Sequence, residues 1–317
     1  MGFLETLKRT ESADRRLTIG ASAAPAILGL SPWQSAMGVW MQMQGLDTAN
    51  KSTAVTRRGN YLERGLLHWT AAEVDATMVE DGIPISEPGI AGPEPWMQFH
   101  PDGALANKDG WHLAEIKTSR MAAEWGDGPD EIPPHYLCQV QFQLACLPAG
   151  TAAIVGAYLP IADKMLTYRI LPDVEFQTWM VETIGEWFYQ HIVLGRAPDV
   201  DGSEASRKWL QHRHPSMLLP MRIADMGEER ELIANFASVK AEIKALEARE
   251  AELANLLRAA CGDGEGIFCG EGKITCRPVK GAERADLETL RRDFPDVWTA
   301  VKRKSDDRRD LRFWPAK

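Results

Sequence analysis

HPDGALANKDGWHLAEIKTS, residues 100–119, is the stretch that decides how the chain is read. Within WHLAEIKTS the side chains of a strand switch faces at every residue, so Glu115 and Lys117 share one face with Trp111 and Leu113 while Ile116 points to the other. Asp102 sits in a tight Pro-Asp-Gly turn after the apolar run Trp96 to Phe99, and a hairpin return brings it beside Glu115. An aspartate in a turn is ordinarily turn chemistry, and Glu-x-Lys on a strand is ordinarily a solvated face. Here both charged residues extend from an apolar row, which sets them apart from surface decoration. Two carboxylates converging with a lysine suit a hard divalent cation that wants oxygen ligands and keeps some of its water. Such a site serves metal-assisted hydrolysis.

The remaining composition bounds the setting. A chain of 317 residues is long enough for a full core and a second module, and 44% apolar with 26% charged residues is ordinary for a globular protein. It holds no apolar run of about eighteen residues to span a bilayer, and MGFLETLKRTESADRR lacks the apolar core of a signal peptide. The expectation is a cytoplasmic protein with no membrane partner. Five widely scattered cysteines fit a reducing compartment better than a disulfide framework. Cys261, Cys269 and Cys276 are spaced too loosely for the usual zinc patterns. A net charge of −9 argues against a polycation that coats nucleic acid. It leaves room for a local basic groove around an acidic metal site, where the cation inverts the charge logic.

Taken in order, the chain opens with a short helical stretch, Phe3 to Thr10, and then RRLTIGASAAPAILGLSPWQSAMGVW, residues 15–40. Ser22 is placed to cap a turn over Pro25 to Leu28 that Gly29 ends, and Arg15 and Arg16 add guanidinium donors beside a helix start. A capped helix with incidental arginines is the plainer reading of that segment alone. Residues 56–74 carry Leu62, Leu66 and Trp69 at helical spacing, with Glu63 on the flank, either solvated or reaching the hairpin as a third carboxylate. The loop Glu124 to Pro134 is long enough for a mobile lip over a site. It leads into the helix HYLCQVQFQLAC, where Tyr136, Gln139, Val140 and Gln143 share an unusually polar face. Two strands follow, Thr151 to Leu159 and Met165 to Ile170, then a helix capped by Asp173 and ended by Gly195. Polar, Pro-containing composition marks residues 201–225 as a linker. From Glu228 to Ala260 apolar residues recur at alternating four- and three-residue steps, broken by Glu250, as in a coiled-coil seam. A hairpin, GIFCGEGKITCRPV, and a basic tail, VKRKSDDRRDLR, complete a module over residues 226–317.

The order of these motifs resembles the YqaJ-type viral recombinase nucleases, which are similar to the phage lambda exonuclease and belong to the PD-(D/E)XK superfamily. The pieces that carry the resemblance are RRLTIGASAAPAILGLSPW (15–33), RRGNYLERG (57–65), HPDG (100–103), EIKTS (115–119) and YLCQVQFQL (136–144). PD-(D/E)XK alone arises by chance, whereas the ordered set is specific. One departure is Gly20-Ala21-Ser22-Ala23 where the family often shows Gly-Gly-Ser-Asp. The C-terminal third lies outside the nuclease pattern, although a coiled-coil segment followed by a GKIT-like hairpin resembles extensions on some phage members.

The resemblance implies an α/β restriction-endonuclease-like core over residues 1–200, a mixed central sheet flanked by helices, with the coiled-coil and hairpin module as an extension. It implies that Asp102, Glu115 and the Ile116 carbonyl ligate metal, that Glu63 completes a second metal position, and that Lys117 positions or activates the attacking water. Arg15 or Arg16 with Ser22 would hold the terminal phosphate, and Tyr136, Gln139 and Gln141 would support the site. The implied cofactor is Mg²⁺, with Mn²⁺ able to substitute and two ions per site. The implied activity is exonucleolytic resection of double-stranded DNA ends, 5′ to 3′, by a homo-oligomer that hands single strands to an annealing protein. An iron–sulfur nuclease of the same superfamily is one alternative, but it requires an upstream cysteine and none precedes Cys138. A DNA-binding assembly protein of minor catalytic activity is another, and the intact Asp102, Glu115 and Lys117 argue against it.

Overall fold

The computed structural model describes residues 18–46, 54–79, 89–128, 131–214, 227–270, 272–303, 311 and 313. The chain divides into two compact units, Met1–His212 and Arg213–Lys317. The expected first helix, Arg15, Arg16 and most of the basic tail lie outside the described residues.

The first unit runs β1 (Ile19–Gly20), α1 (Ala24–Ile27), α2 (Ala36–Met43), α3 (Ala54–Glu73), β2 (Thr77–Met78), β3 (Ile90–Ala91), β4 (Met97–Phe99), β5 (Gly103–Asn107) and β6 (Gly110–Thr118). It continues with α4 (Pro134–Ala145), β7 (Ala152–Leu159), β8 (Lys164–Ile170), α5 (Val174–Phe188) and α6 (Glu204–Arg213). The central sheet has the order β2-β5-β6-β7-β8, with β6 and β7 parallel and the other neighbours antiparallel. A parallel pair cannot be joined by a tight turn, and α4 supplies the crossover from β6 to β7. A small second sheet, β1-β4-β3, lies apart from it in hydrogen bonding.

The two faces of β6 explain the layers. Leu113 joins a large core with Val155, Phe142, Val140, Met180 and Ile184, on the side that bears α4 and α5. Ala114 and Ile116 face a smaller core with Leu66, Leu67 and Ala71 of α3. The fold is therefore a mixed α/β sheet flanked by helices, as expected.

Several expectations need correction. The Pro101-Asp102-Gly103 segment does not close the hairpin that carries Glu115; it links β4, in the small sheet, to β5. The hairpin reverses at Lys108-Asp109, where Asn107 opposes Gly110 and the Asn107 side chain accepts from the Asp109 backbone N–H at 2.9 Å. Ser22 does not cap α1: Ala23 occupies the cap position with no side-chain hydrogen bond, and Ser22 is exposed. Of the helical stripe read on α3, Leu62 and Trp69 are each 38% exposed, and the buried face is instead Leu66, Leu67, Thr70 and Ala71.

Nor are all of residues 201–225 a linker, since α6 lies within them. Its Ser and Asp residues are capping chemistry and not solvated spacer. The Ser206 backbone N–H donates to Ser203 Oγ at 3.1 Å, and the buried Ser206 hydroxyl donates to Asp201 at 2.6 Å. Trp209 packs edge-on against Trp40 with centroids 6.1 Å apart. Asp173 does cap α5, accepting from the Phe176 N–H at 3.0 Å, and the helix ends through one wider turn, Tyr189–Val193, before Gly195 at φ +67°.

The second unit holds the long helix α7 (Glu228–Cys261), the hairpin β9 (Gly266–Cys269) and β10 (Gly272–Thr275), and the short helices α8 (Leu287–Asp293) and α9 (Pro295–Val301).

Helix α3 lies close to the sheet because two strand residues facing it lack a Cβ. A Cβ on Gly156 would overlap Thr70 Oγ1, and one on Gly103 would stand 2.5 Å from Leu67 Cδ2. We expect Gly156→Ala to force α3 outward and to destabilise the chain by about 1–3 kcal/mol, the usual cost of overpacking. Thermal melts should show the loss, and adding Thr70→Ala should recover part of it. An unchanged melting temperature in the single variant would contradict this packing.

Candidate active site

Glu115 is the centre of the site because it is buried, 2% exposed, on a strand face that it shares with the fully buried Leu113 and with Lys117. A buried carboxylate must be paired or bear a large desolvation cost. Three donors meet it. Lys117, two residues along the same face, forms an ion pair with Oε1. The Gln139 amide also donates to Oε1, at 2.6 Å, and the Gln143 amide donates to Oε2 at 2.7 Å. Both glutamines come from α4, whose spacing of four residues stacks them on one helical face above the strand.

Asp102 stands just before β5, and the pairing of Gly103 with Ala114 sets it across from Glu115. Its Oδ2 accepts from the Ile116 backbone N–H at 2.7 Å, which fixes the carboxylate to the site strand. Burial, followed by the charge of Glu115, holds the Asp102 carboxyl well above its ordinary value of 3.8, although Lys117 and the Ile116 N–H pull the other way. Glu63 of α3 is raised by burial and by Glu115 in the same manner, so it lies within the field of the pair. Burial pulls the Lys117 ammonium down, but Glu115 and Asp102 outweigh it and keep the group above its ordinary value. Lys117 is thus a cation here. Its Nζ also lies 5.2 Å from the Tyr136 ring centroid.

Of the residues singled out from the sequence, the structure brings Asp102, Glu115, Lys117, Gln139 and Tyr136 together, with Glu63 within electrostatic reach. Gln141 is not among them. Its side chain faces the other way on α4, donating to the Leu171 carbonyl at 2.9 Å and accepting from the Asp173 N–H at 3.0 Å and from Gln177 at 2.8 Å. Gln143 takes the place expected of it, and the polar face Tyr136, Gln139, Gln143 was the signal that pointed there.

The sequence reading gave no role to Trp33. Its ring is 71% exposed and meets His135 edge-on at 4.6 Å and Tyr136 at 5.9 Å, so an aromatic row runs from solvent to Lys117. Beside it lies a cavity of about 610 Å³ lined by Leu30, Pro32, Glu124, Ile132 and His135, among others. The loop expected as a mobile lip forms one wall and is anchored: Trp125 and Ile132 are buried, Trp125 stacks on Tyr136 at 5.5 Å, and the Tyr168 hydroxyl donates to the Gly126 carbonyl at 2.6 Å.

The donor set fits a hard cation in kind. A carboxylate offers about four lone-pair sites, and Glu115 uses three, so acceptor capacity remains on it and on Asp102. Gln143 Oε1 is buried without a protein partner, an acceptor that a metal-bound water would satisfy. Among the described residues, however, no three Asp, Glu, His or Cys side chains gather as a closed cage.

A mixed sheet presenting opposed carboxylates and a lysine from neighbouring strands is the class of structure that the fold and the site define. Residues 12–152, which fall within the first unit, match the model of the YqaJ-like viral recombinase domain. The chain is 27% identical over 303 residues to the uncharacterized protein YqaJ of Bacillus subtilis (strain 168), covering 93% of this chain and 91% of that one. It also resembles the crystal structure of an alkaline exonuclease (LHK-Exo) from Laribacter hongkongensis, with a TM-score of 0.40, 21% identity, and coverage of 57% of this chain and 93% of that one. The same exonuclease in complex with dAMP matches with a TM-score of 0.41 and 22% identity over the same shares of the two chains. Among the described residues no helix is long and apolar enough to cross a membrane.

Asp102 gives the site a defined pH signature. A carboxyl held above its unfolded value contributes stability below that value and loses it as pH rises through the folded value. We expect metal-free protein to lose thermal stability as pH rises from near 3.8 through the raised folded value. Asp102→Asn, which keeps an oxygen for the Ile116 N–H, should flatten that decline. Melting curves in chelator across pH measure both, and equal slopes in the two proteins would contradict the assignment.

Proposed function

We propose that the chain is a divalent-cation-dependent DNA exonuclease with a restriction-endonuclease-like core, acting on double-stranded ends. The observation that carries the reading is the opposition of Asp102 and Glu115 beside a lysine that remains charged. Three carboxylates, with Asp102 and Glu63 raised by burial and then by the charge of Glu115, are a poor arrangement for stability alone, and a cation relieves it. Asp102, Glu115 and the Ile116 carbonyl would hold Mg²⁺, or Mn²⁺ in its place, with Glu63 serving a second position. When bound, the cation supplies charge neutralisation at the phosphodiester and a more acidic water.

The chain's own groups do the rest. Lys117, beside Glu115 and Asp102, would position or activate the attacking water and steady negative charge on the phosphate. Gln139 and Gln143 fix the Glu115 carboxylate and leave it little freedom to rotate. Tyr136 lies beneath the Lys117 ammonium, and the exposed Trp33 ring offers a stacking surface for a base at the duplex end. Arg15 or Arg16, with the exposed Ser22, would receive the terminal phosphate. The 5′ to 3′ direction, resection for recombination, a single-strand annealing partner and homo-oligomeric assembly belong to the same proposal, supported by the family of the first unit.

Purified protein with Mg²⁺ should degrade linear duplex and spare closed circles. Asp102→Ala and Lys117→Ala should each lower the rate by roughly 10²–10³-fold, the scale of losing one charge-stabilising group, while retaining a cooperative melt. Wild-type activity in Asp102→Ala would overturn the proposal. Gln143→Leu should reduce activity more than Gln141→Leu, since Gln143 alone of the two touches Glu115. End-labelled duplex with and without a 5′ phosphate reads the direction of digestion and the phosphate requirement together.

A further inference from the structure

Helix α7 carries an apolar strip that the fold of the described residues leaves open to solvent. Leu232, Val239 and Leu246 are 67%, 51% and 69% exposed, and Ile243 and Leu253 are 44% and 43% exposed. Contiguous apolar surface of this kind marks an interaction site. Phe313, with its ring centroid 6.0 Å from that of Phe236, lies towards one end of the strip and not at its centre. The seam keeps alternating four- and three-residue steps over nearly four heptads, with Glu250 as its one charged position, which is enough to sustain a coiled coil.

The charges that flank the strip choose both partner and direction. In a parallel, in-register pair of copies, Glu250 sits in the seam and faces Glu250 of the second copy. Glu242 then meets Glu247 of the second copy, and symmetry repeats that contact. Like charges are thereby placed in the core and twice along its edge. Turning one helix around removes every one of these conflicts. About a two-fold axis between Lys244 and Ala245, Ile243 packs on Leu246, Phe236 on Leu253, and Glu250 on Val239. Glu242 now faces Arg249, and Lys240 faces Glu247, each attractive and each made twice. The other two-copy arrangement lacks these four contacts altogether.

We propose that α7 is an antiparallel dimerisation arm whose partner is the α7 helix of a second copy of this chain. The arm joins two copies of the chain, with the N-termini of their α7 helices at opposite ends of the pair. The inference rests on the heptad register and its flanking charges, and it is independent of the chemistry of the first unit.

Charge reversal in the full-length protein separates the arrangements. Glu242→Arg places like charges opposite each other twice in the antiparallel pair and opposite charges twice in the parallel one. Sedimentation equilibrium over a concentration series should show association weakened by about tenfold in this variant, the sum of two exposed pairs turned from attractive to repulsive. Adding Arg249→Glu should restore it. Tighter association in Glu242→Arg, or no rescue in the double variant, overturns the antiparallel arm. A wild-type chain that stays monomeric at every concentration overturns it as well. All of these substitutions lie on exposed positions of a helix, and an unchanged far-ultraviolet dichroism spectrum will confirm that α7 still forms.

Discussion

One buried carboxylate sets the terms for the first unit. Glu115 lies at 2% exposure in the middle of the central sheet, where an unpaired charge is costly. The strand supplies Lys117, and α4 supplies two amides four residues apart. These requirements fix the polar face of a helix whose apolar residues, such as Val140 and Phe142, join one core with Leu113 and Val155 of the sheet. They also account for the direction of the chain between β6 and β7, because a helix leaving the strand and returning parallel to it passes over the face that Glu115 occupies. A replacement of Glu115 by an apolar residue would leave both amides and the ammonium in need of other partners, so the group is a structural keystone apart from its proposed role as a ligand.

Much of this was legible from residue spacing. Strand alternation placed Glu115 and Lys117 on one face, and helical periodicity put Gln139 and Gln143 on another, without any knowledge of how the two faces would meet. The sequence could not show which turn reverses the hairpin. Two Gly-containing segments compete, Pro101-Asp102-Gly103 and Asn107-Lys108-Asp109-Gly110, and the chain reverses at the second, where Gly110 takes the positive φ of +111° that the return into β6 requires. The buried side of α3 was misjudged for a different reason. Periodicity reads hydrophobicity from the side chains on the helix, whereas the contact is decided by Gly103 and Gly156 on the strands opposite, which let Thr70 and Leu67 approach. The polar stretch around α6 reads as solvent-exposed spacer, but its serines and Asp201 satisfy one another.

The electrostatics divide the site into a part that repels and a part that restrains. Asp102 and Glu63 are raised by burial and by the neighbouring charge of Glu115, while Lys117 remains protonated because two carboxylates surround it. The arrangement stores unfavourable charge that a divalent cation can neutralise, and this is the physical link between the metal-free stability and the proposed chemistry. The aromatic row from Trp33 to Tyr136 extends the same site outward, with its exposed end beside an open cavity and its inner end at the lysine.

The crossover from β6 to β7 carries a consequence for the order of assembly. Glu115 is 24 and 28 residues from the two glutamines that hold it, and no local contact can bring them together. Closing a loop of that length costs entropy before the parallel strands repay it. Without β7, the crossover that carries both amides to Glu115 has no strand to end on. A chain interrupted before Ala152 contains every residue of the proposed site yet lacks the strand that holds the crossover in place. Possessing the residues and possessing the site are therefore separate events in the life of a folding chain, divided by the arrival of one eight-residue strand.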